Sequence, residues 1–360
     1  MQNKTMNSSE KSRKLKEKAV EFGYTGCGII DIPDYTFFLK EIDRRNVLFP
    51  HSAFFYEPLK KMASKREELN WAQSIVVALF RYDNVYTISP AVDRHIARLY
   101  VTDGRLPYSD EKKINERLTA FMTEELGLKA MPATHLLPAK WSAVWAGLGK
   151  FRNNNLIYTE NGSWNALTLW LVDEHLTPEP PVEAPTFDCP PDCNRCIEAC
   201  PTGALSAPFT LDPTHCASYL SYEAMYRLAL PPEELRAKMG EMIYGCDICQ
   251  KVCPKNAATW REGKKEFPNP HPLEDMITLE KLATLDQDTF MEKIRARFFY
   301  INENNRWQWQ SNAIRAMANA GNREFEPYIV KALSDENENV RTMAAWALKR
   351  LRGEVEAGEA

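Results

Sequence analysis

The sequence predicts a multidomain chain of the α+β or α/β class, and three observations carry that expectation. Apolar strand-like runs alternate with helical spacings over about the first 175 residues, eight of the nine cysteines crowd between Cys189 and Cys253, and everything from about residue 277 onward reads as helix. The 360 residues divide accordingly into an α/β domain over 1–176, a cysteine-rich domain over 177–270 and a helical tail over 271–360.

In chain order, Leu15, Ala19, Val20 and Phe22 fall near helical spacing and Gly23 closes that helix before the apolar run GCGIID, a buried strand. Cys27 lies in that run between small residues and reads as a core residue. A charged helical segment around EPLKKMASKREELNWA leads to SIVVALF, a β-branched run of the kind buried on both faces of a sheet. Residues 110–126 form a helix with Ile114, Leu118 and Phe121 inward, and LKAMPA, NLIYT and ALTLWLVD supply further strands. Prolines at 178, 180, 181, 185, 190 and 191 then forbid helix and sheet interior alike, marking a crossing between domains, and FPNPHP breaks the chain again.

The cysteines carry the chemistry. Cys189, Cys193, Cys196 and Cys200-Pro201 approximate the bacterial iron–sulfur run, with a first gap of three residues in place of two. Cys246, Cys249 and Cys253-Pro254 repeat the ending, and Cys216 supplies the ligand that the second half lacks. In such runs the fourth cysteine serves the neighbouring cluster. That crossover assigns Cys189, Cys193, Cys196 and Cys253 to one [4Fe–4S] cluster and Cys200, Cys216, Cys246 and Cys249 to another, within a ferredoxin-like module. Two zinc sites are the competing reading, since C-x2-C pairs also suit tetrahedral zinc, but zinc does not call for two cysteine-proline endings and interleaved ligands. A disulfide scaffold belongs to short secreted domains.

No run is apolar enough to span a membrane, and the hydrophilic start MQNKTMNSSEKSRKLKEK lacks a signal-peptide core, so a cytoplasmic location with reduced thiols is expected. The net charge of −4 argues against a chain-wide nucleic-acid footprint. In the tail, QSNAIRAMANA resembles RTMAAWALKRL at an offset of 31, aligning Ala313 with Ala344, Ala316 with Ala347 and Met317 with Leu348. That spacing suits either a HEAT-like repeat or a terminal packing pair. Arg306 to Arg352 holds eight Lys/Arg against five Asp/Glu, a modest excess for a phosphate-binding face.

Taken together, SIVVALFRY, AGLGKFRNNNLIYTENGSW, the cysteine ladder with LDPTHCASYL and YGCDICQKVCP, and QSNAIRAMANAGN resemble the epoxyqueuosine reductase family. The resemblance implies a tRNA-modifying reductase related to the corrinoid reductive dehalogenases. Its N-terminal domain would bind cobalamin with the lower base detached, its two [4Fe–4S] clusters would feed that centre, a ferredoxin or flavodoxin would supply electrons, and the HEAT-like tail would help hold tRNA. Corrinoid contacts are then implied for Lys140, Trp141, Gly147, Leu148, Gly149, Asn154, Gly162, Ser163 and Trp164, with Trp145 and Trp170 as further walls.

Two departures from the family pattern stand out. Arg152 and Asn153 replace a Gly-Lys pair, and aligning Tyr108 with the family tyrosine puts Pro107 at the expected acid and Ser109 at a histidine. Proline cannot donate a proton, which leaves Tyr108, Asp103 and Asp110 as candidate donors. His215 adjoins Cys216 and reads as a surface residue. A two-cluster electron-transfer protein without a corrinoid is the alternative that both departures favour, and a nucleic-acid adaptor with structural clusters is a third.

Overall fold

The computed structural model describes all residues except 1–5, 65–66, 181, 183–187, 223–228, 258–264, 269–270 and 355–360. Part of the proline-rich crossing and part of FPNPHP therefore lie outside the described residues.

Four strands build the N-terminal sheet: β1 (Gly26–Asp31), β2 (Ser74–Arg81), β3 (Ala130–Pro132) and β4 (Asn165–Val172). Their order is β1-β2-β4-β3 and every neighbouring pair is antiparallel, so this layer is α+β and not a parallel doubly wound sheet. Strand β2 is central and buried over Ser74–Phe80, as its unbroken apolar run requires. Side chains alternate between faces with period two. Val76, Ala78 and Phe80 therefore meet Leu15, Ala19, Leu118 and Met122, while Ile75 and Val77 meet Ala143 and Ala146.

Those partners come from the helices α1 (Ser8–Phe22), α3 (Asp110–Ala120) and α4 (Ala139–Trp145), the last beside α2 (Thr36–Leu48). Helix α1 opens on a capping box in which Asn7 accepts from the Glu10 amide and Glu10 accepts from the Asn7 amide. Cys27 packs against the α1–α3 side, and burial pushes its thiol up to about 12, as befits a core residue.

Two elements depart from expectation. The charged stretch after Tyr56 forms short 3-10 turns, Glu57–Ala63 and Glu67–Leu69, and not an α-helix; Leu59, Met62, Ala63 and Leu69 are partly buried against the apolar clusters, so packing holds the segment in this tighter path. NLIYT does not join the main sheet: Ile157–Tyr158 pairs with Lys150–Phe151 as a separate hairpin.

The cysteine block contains two one-turn helices, α5 (Arg195–Glu198) and α6 (Ile248–Lys251). Beyond it, α7 (Leu279–Ala283), α8 (Arg306–Ala320), α9 (Glu326–Ala332) and α10 (Glu338–Arg352) share one apolar core. Val92, Ile96 and Val101 from the N-terminal half enter that same core, Ile96 bridges to Tyr244, and Tyr86–Thr87 pairs in parallel with Lys265–Glu266.

Helix α8 is the hub. Every residue from Trp307 to Ala318 is buried, and its small residues Ala313 and Ala316, like Ala344 and Ala347 of α10, have no exposed surface. Such small side chains let helices approach closely. On another face Asn312, Arg315 and Asn319, spaced by three and four, form a polar row one helical turn apart. Asn312 donates to the Ile243 and Ser221 carbonyls, Arg315 to those of Gly240 and Met242, and Asn319 to Gly240 and Arg236. The row thus clamps the chain that leads into Cys246.

Candidate metal centre

All eight block cysteines are free thiols. Local backbone rules set their positions. Proline restricts the residue before it to extended geometry, and Cys253 accordingly has φ −71° and ψ 122° before the Pro254–Asn256 turn. Cys216 follows the Pro213–His215 turn, which Asp212 caps by accepting from the Thr214 amide. Asp212 Oδ1 also accepts from Ser52 and Thr214 hydroxyls, and its Oδ2 lies 2.7 Å from His51 Nε2 and 2.9 Å from His215 Nδ1. Burial alone would raise this carboxylate, but the converging donors outweigh it and hold it down at about 2. His215 is spent on this network at a half-exposed position, in keeping with a surface role.

The thiols converge as two groups. Burial pushes Cys196 up to about 11, and the neighbours adding to that rise are Cys189, Cys253 and Cys193. Burial pushes Cys246 up to about 12, with Cys216, Asp247 and Cys200 adding, while Cys249 rises well above its ordinary value through burial and then Cys246, Cys216, Asp247 and Cys196. The neighbours of Cys196 and Cys246 fall within the sets that the crossover rule predicts, while Cys249 and Cys196 approach each other across them. Crowded, buried thiolates repel one another, so each set suits a cationic centre that would draw off its protons.

Among the described residues the one group of three side chains with ligand atoms within 4.8 Å of one another is His51, Asp212 and His215.

The stretch Gly147–Trp164 forms the seam between the sheet layer and the cysteine block. Arg152 Nη1 donates to Cys253 Sγ at 3.6 Å, and the Asn153 amide donates to Cys189 Sγ at 3.4 Å. Asn153 Nδ2 reaches the Cys193 carbonyl, and Asn154 Nδ2 reaches the Cys249 carbonyl and the Tyr158 hydroxyl. The Ser163 amide donates to Asn256, whose Nδ2, together with Gln250 Nε2, donates to Ser163 Oγ. Lys140 Nζ donates to the Asn155 carbonyl. Trp141 packs edge-on against Phe38 and Phe151, and Trp164 is fully buried with the Arg98 guanidinium 4.8 Å from its ring. Leu148 packs beside Gly26, and Gly162 closes a tight turn with Thr159.

Residues 189–256 match a family profile described as 4Fe-4S double cluster binding domain, and residues 300–359 match one described as HEAT repeats. The epoxyqueuosine reductase of Bacillus anthracis is 30% identical over 317 residues, spanning 83% of this chain and 78% of that protein. This chain belongs to the epoxyqueuosine reductase family. The Cellulophaga algicola epoxyqueuosine reductase is 29% identical over 77% of this chain and 88% of its own. Among solved structures, a selenomethionine-labelled epoxyqueuosine reductase superposes with a TM-score of 0.76 at 25% identity, covering 94% of this chain and 90% of that one. An epoxyqueuosine reductase with a tRNA-Tyr epoxyqueuosine-modified stem loop gives 0.72 at 25% identity, covering 94% and 89%.

As an epoxyqueuosine reductase family member the chain is an oxidoreductase, and Cys189–Cys253 is its iron–sulfur block. The three candidate proton donors sit apart from that block. Asp103 is buried and ion-paired with Arg105. The Tyr108 hydroxyl accepts from Arg297 at 3.2 Å, its ring edge-on to Phe267. Asp110 accepts from Tyr86 and pairs with Lys265; burial would raise its carboxyl, but those donors outweigh it and keep it ionised.

Sequence reasoning missed Glu111. It lies in the first turn of α3, only 6% exposed, and its carboxyl occupies the space above Gly104, where an added Cβ would fall 1.8 Å from Oε2. Burial, then the Asp103 charge, push its carboxyl up to about 8. Its position three and seven residues before Ile114 and Leu118 was the available signal, because those spacings share one helical face.

In this family the corrinoid seat is the expectation that the residues themselves test. Gly147, with φ 67° and open space beside it, would suit close approach of a ligand. Gly149 would not: a Cβ there would fall 2.5 Å from Ile157 and 2.9 Å from the Tyr158 carbonyl, so its missing side chain accommodates its own hairpin. Lys140, Asn154, Ser163 and Trp164 are likewise engaged in the seam or the core.

Proposed function

We propose that this chain is a two-cluster iron–sulfur reductase, in which electrons from an external ferredoxin- or flavodoxin-type donor pass singly through both clusters to a reaction carried out on the N-terminal sheet layer. Reducing an epoxide takes two electrons and two protons, which two one-electron clusters can deliver in sequence. By analogy with the relatives, the substrate class is an epoxide-bearing queuosine precursor in tRNA, met in the cytoplasm. No helix among the described residues is long and apolar enough to cross a membrane. The observation that carries this reading is the crowding of the block's thiols around Cys196, Cys246 and Cys249, within a stretch that matches a double-cluster profile.

Base-off cobalamin is the centre that the resemblance would place between clusters and substrate, supplying a strongly reducing cobalt when bound. Its expected contact residues Lys140, Asn154, Ser163 and Trp164 hold hydrogen bonds or core positions of their own, and no step is routed through it. An open cleft of about 430 Å³ lined by Glu41, Arg44, Asn153, Cys189 and Phe209 brings solvent to a ligand of the first cluster, and is the proposed docking place of the electron donor. Substrate RNA is proposed to lie along the helical tail, although its basic excess is partly spent: Arg315 is buried, Arg306 pairs with Glu336 and Arg352 with Glu326. Tyr108, Asp103 and Asp110 stand as the proposed donors, and both carboxyls are engaged in ion pairs, Asp103 with Arg105 and Asp110 with Lys265.

The seam contacts of Arg152, Asn153 and Asn154 favour a second reading, an electron-transfer protein with no corrinoid that hands electrons to a docked partner. Anaerobic turnover of an epoxyqueuosine-modified stem loop, with and without added cobalamin, separates the two. Product formation supports the reductase, and dependence on cobalamin with one cobalt retained per chain would restore the corrinoid. Reduction of a redox partner with no turnover of the RNA supports the carrier. Tyr108→Phe is expected to lower turnover at least tenfold if its hydroxyl is the donor, and unchanged turnover removes it from the reaction.

A further inference from the structure

Arg152 stands against the sulfurs of one cluster. Its backbone is locked in a tight turn: its amide donates to the Leu156 carbonyl at 3.1 Å, and the Asn155 amide returns to the Arg152 carbonyl at 2.9 Å. Its guanidinium is held from three sides, with Nε donating to the Asp188 carbonyl at 2.5 Å, the Tyr158 ring 5.2 Å away, and Nη1 donating to Cys253 Sγ. The Cys189 thiol also acts electrostatically on the same guanidinium. Cys189 and Cys253 are the first and last ligands of one predicted set, so one cation contacts one of its sulfurs and lies near a second. The next amide, from Asn153, donates to the sulfur of Cys189 as well.

A cubane held by four thiolates is anionic, and reduction adds one more negative charge. Hydrogen bonds and positive charge at its sulfurs therefore stabilise the reduced form and raise its potential. Glycine stands at this position in the family pattern, and glycine brings neither charge nor donor. We infer that Arg152 sets the potential of the cluster bound by Cys189, Cys193, Cys196 and Cys253, holding it above the value the same ligands would give without the guanidinium. This inference rests on the two-cluster reading proposed above. It gives the seam an electronic role: the cluster beside the solvent-facing cleft becomes the readier acceptor of an incoming electron.

The test is an EPR-monitored redox titration of the full-length protein, prepared anaerobically, as wild type and as Arg152→Gln, Arg152→Gly and Arg152→Lys. Arg152→Gln is expected to make reduction of one cluster about tenfold less favourable, a shift of about 59 mV to more negative potential for one electron, and to leave the other cluster unmoved. Arg152→Gly should shift at least as far, and Arg152→Lys, which keeps the charge without the planar fork, should shift less. Full iron content in the Gln and Gly variants with both midpoints unmoved would overturn the inference and leave the two-cluster reading intact. Loss of one cluster's iron in all three variants would make Arg152 a structural clamp, and overturn it too. A wild-type protein that binds no iron would instead sink the reading on which the inference rests.

Discussion

Arg315→Ala is expected to destabilise the C-terminal half by about 3–5 kcal/mol, since it combines a large-to-small cavity with unpaired buried carbonyls. Arg315 has no exposed surface, and its two terminal nitrogens donate to the Gly240 and Met242 carbonyls. Burial lowers its pKa to about 10, opposed by Cys246, which still leaves it charged at neutral pH. The same bonds hold the chain running into Cys246, so the second cluster should also become labile. Anaerobic chemical denaturation followed by tryptophan fluorescence reads the stability, and visible absorbance reads cluster loss during the same titration. Arg315→Met, which refills the volume without its hydrogen bonds, should recover part of the stability. A midpoint unchanged in Arg315→Ala would mean that the clamp is replaced by water.

Glu111 gives the next largest effect, and its sign follows from proton linkage. The folded carboxyl keeps its proton up to about pH 8, whereas an unfolded glutamate releases it near its ordinary value of about 4.3. Folding therefore takes up a proton between those limits. The contribution is fully present below about pH 4.3 and declines as pH rises towards 8, by an amount on the order of 3–5 kcal/mol from the size of the shift. The groups that face it are Asp103 and Arg105 from the preceding loop, Thr168 from β4 and Tyr24. Glu111→Gln should flatten the stability–pH profile in this window and leave the protein more stable than wild type at pH 8. A wild-type profile already flat from pH 5 to 8 would place the carboxyl in an ordinary ionised state.

What could be read from the sequence, and what could not, follows from the range of the forces. The double-cluster block was legible because cluster chemistry dictates cysteine spacing: the cysteine-proline endings and Cys216 mark eight candidate ligands without any knowledge of the sheet. Strand β2 was legible because an unbroken β-branched run has few homes other than a strand buried on both faces. The 3-10 turns after Tyr56 were not, because the path of a short segment is set by what it packs against, here Leu59, Met62 and Leu69 on the apolar clusters, and not by helical spacing alone. Arg152 was noticed as a departure but its destination was not. Its sulfur partner Cys253 lies 101 residues away, and only the folded seam brings them together. Glu111 was hidden by its position in the first turn of a helix, where an acidic side chain ordinarily faces water and favours the helix dipole. The polar row Asn312, Arg315 and Asn319 was quoted within a motif, yet its role depends on carbonyls that no local pattern announces.

The central claim is that Cys189, Cys193, Cys196 and Cys253, and separately Cys200, Cys216, Cys246 and Cys249, each close around an iron–sulfur cubane. Iron, inorganic sulfide and zinc assayed together on protein purified without oxygen test it most directly. The prediction is about eight irons and eight sulfides per chain and no stoichiometric zinc, falling to about four irons in Cys196→Ser. Colourless protein carrying about two zinc ions and no sulfide would contradict it.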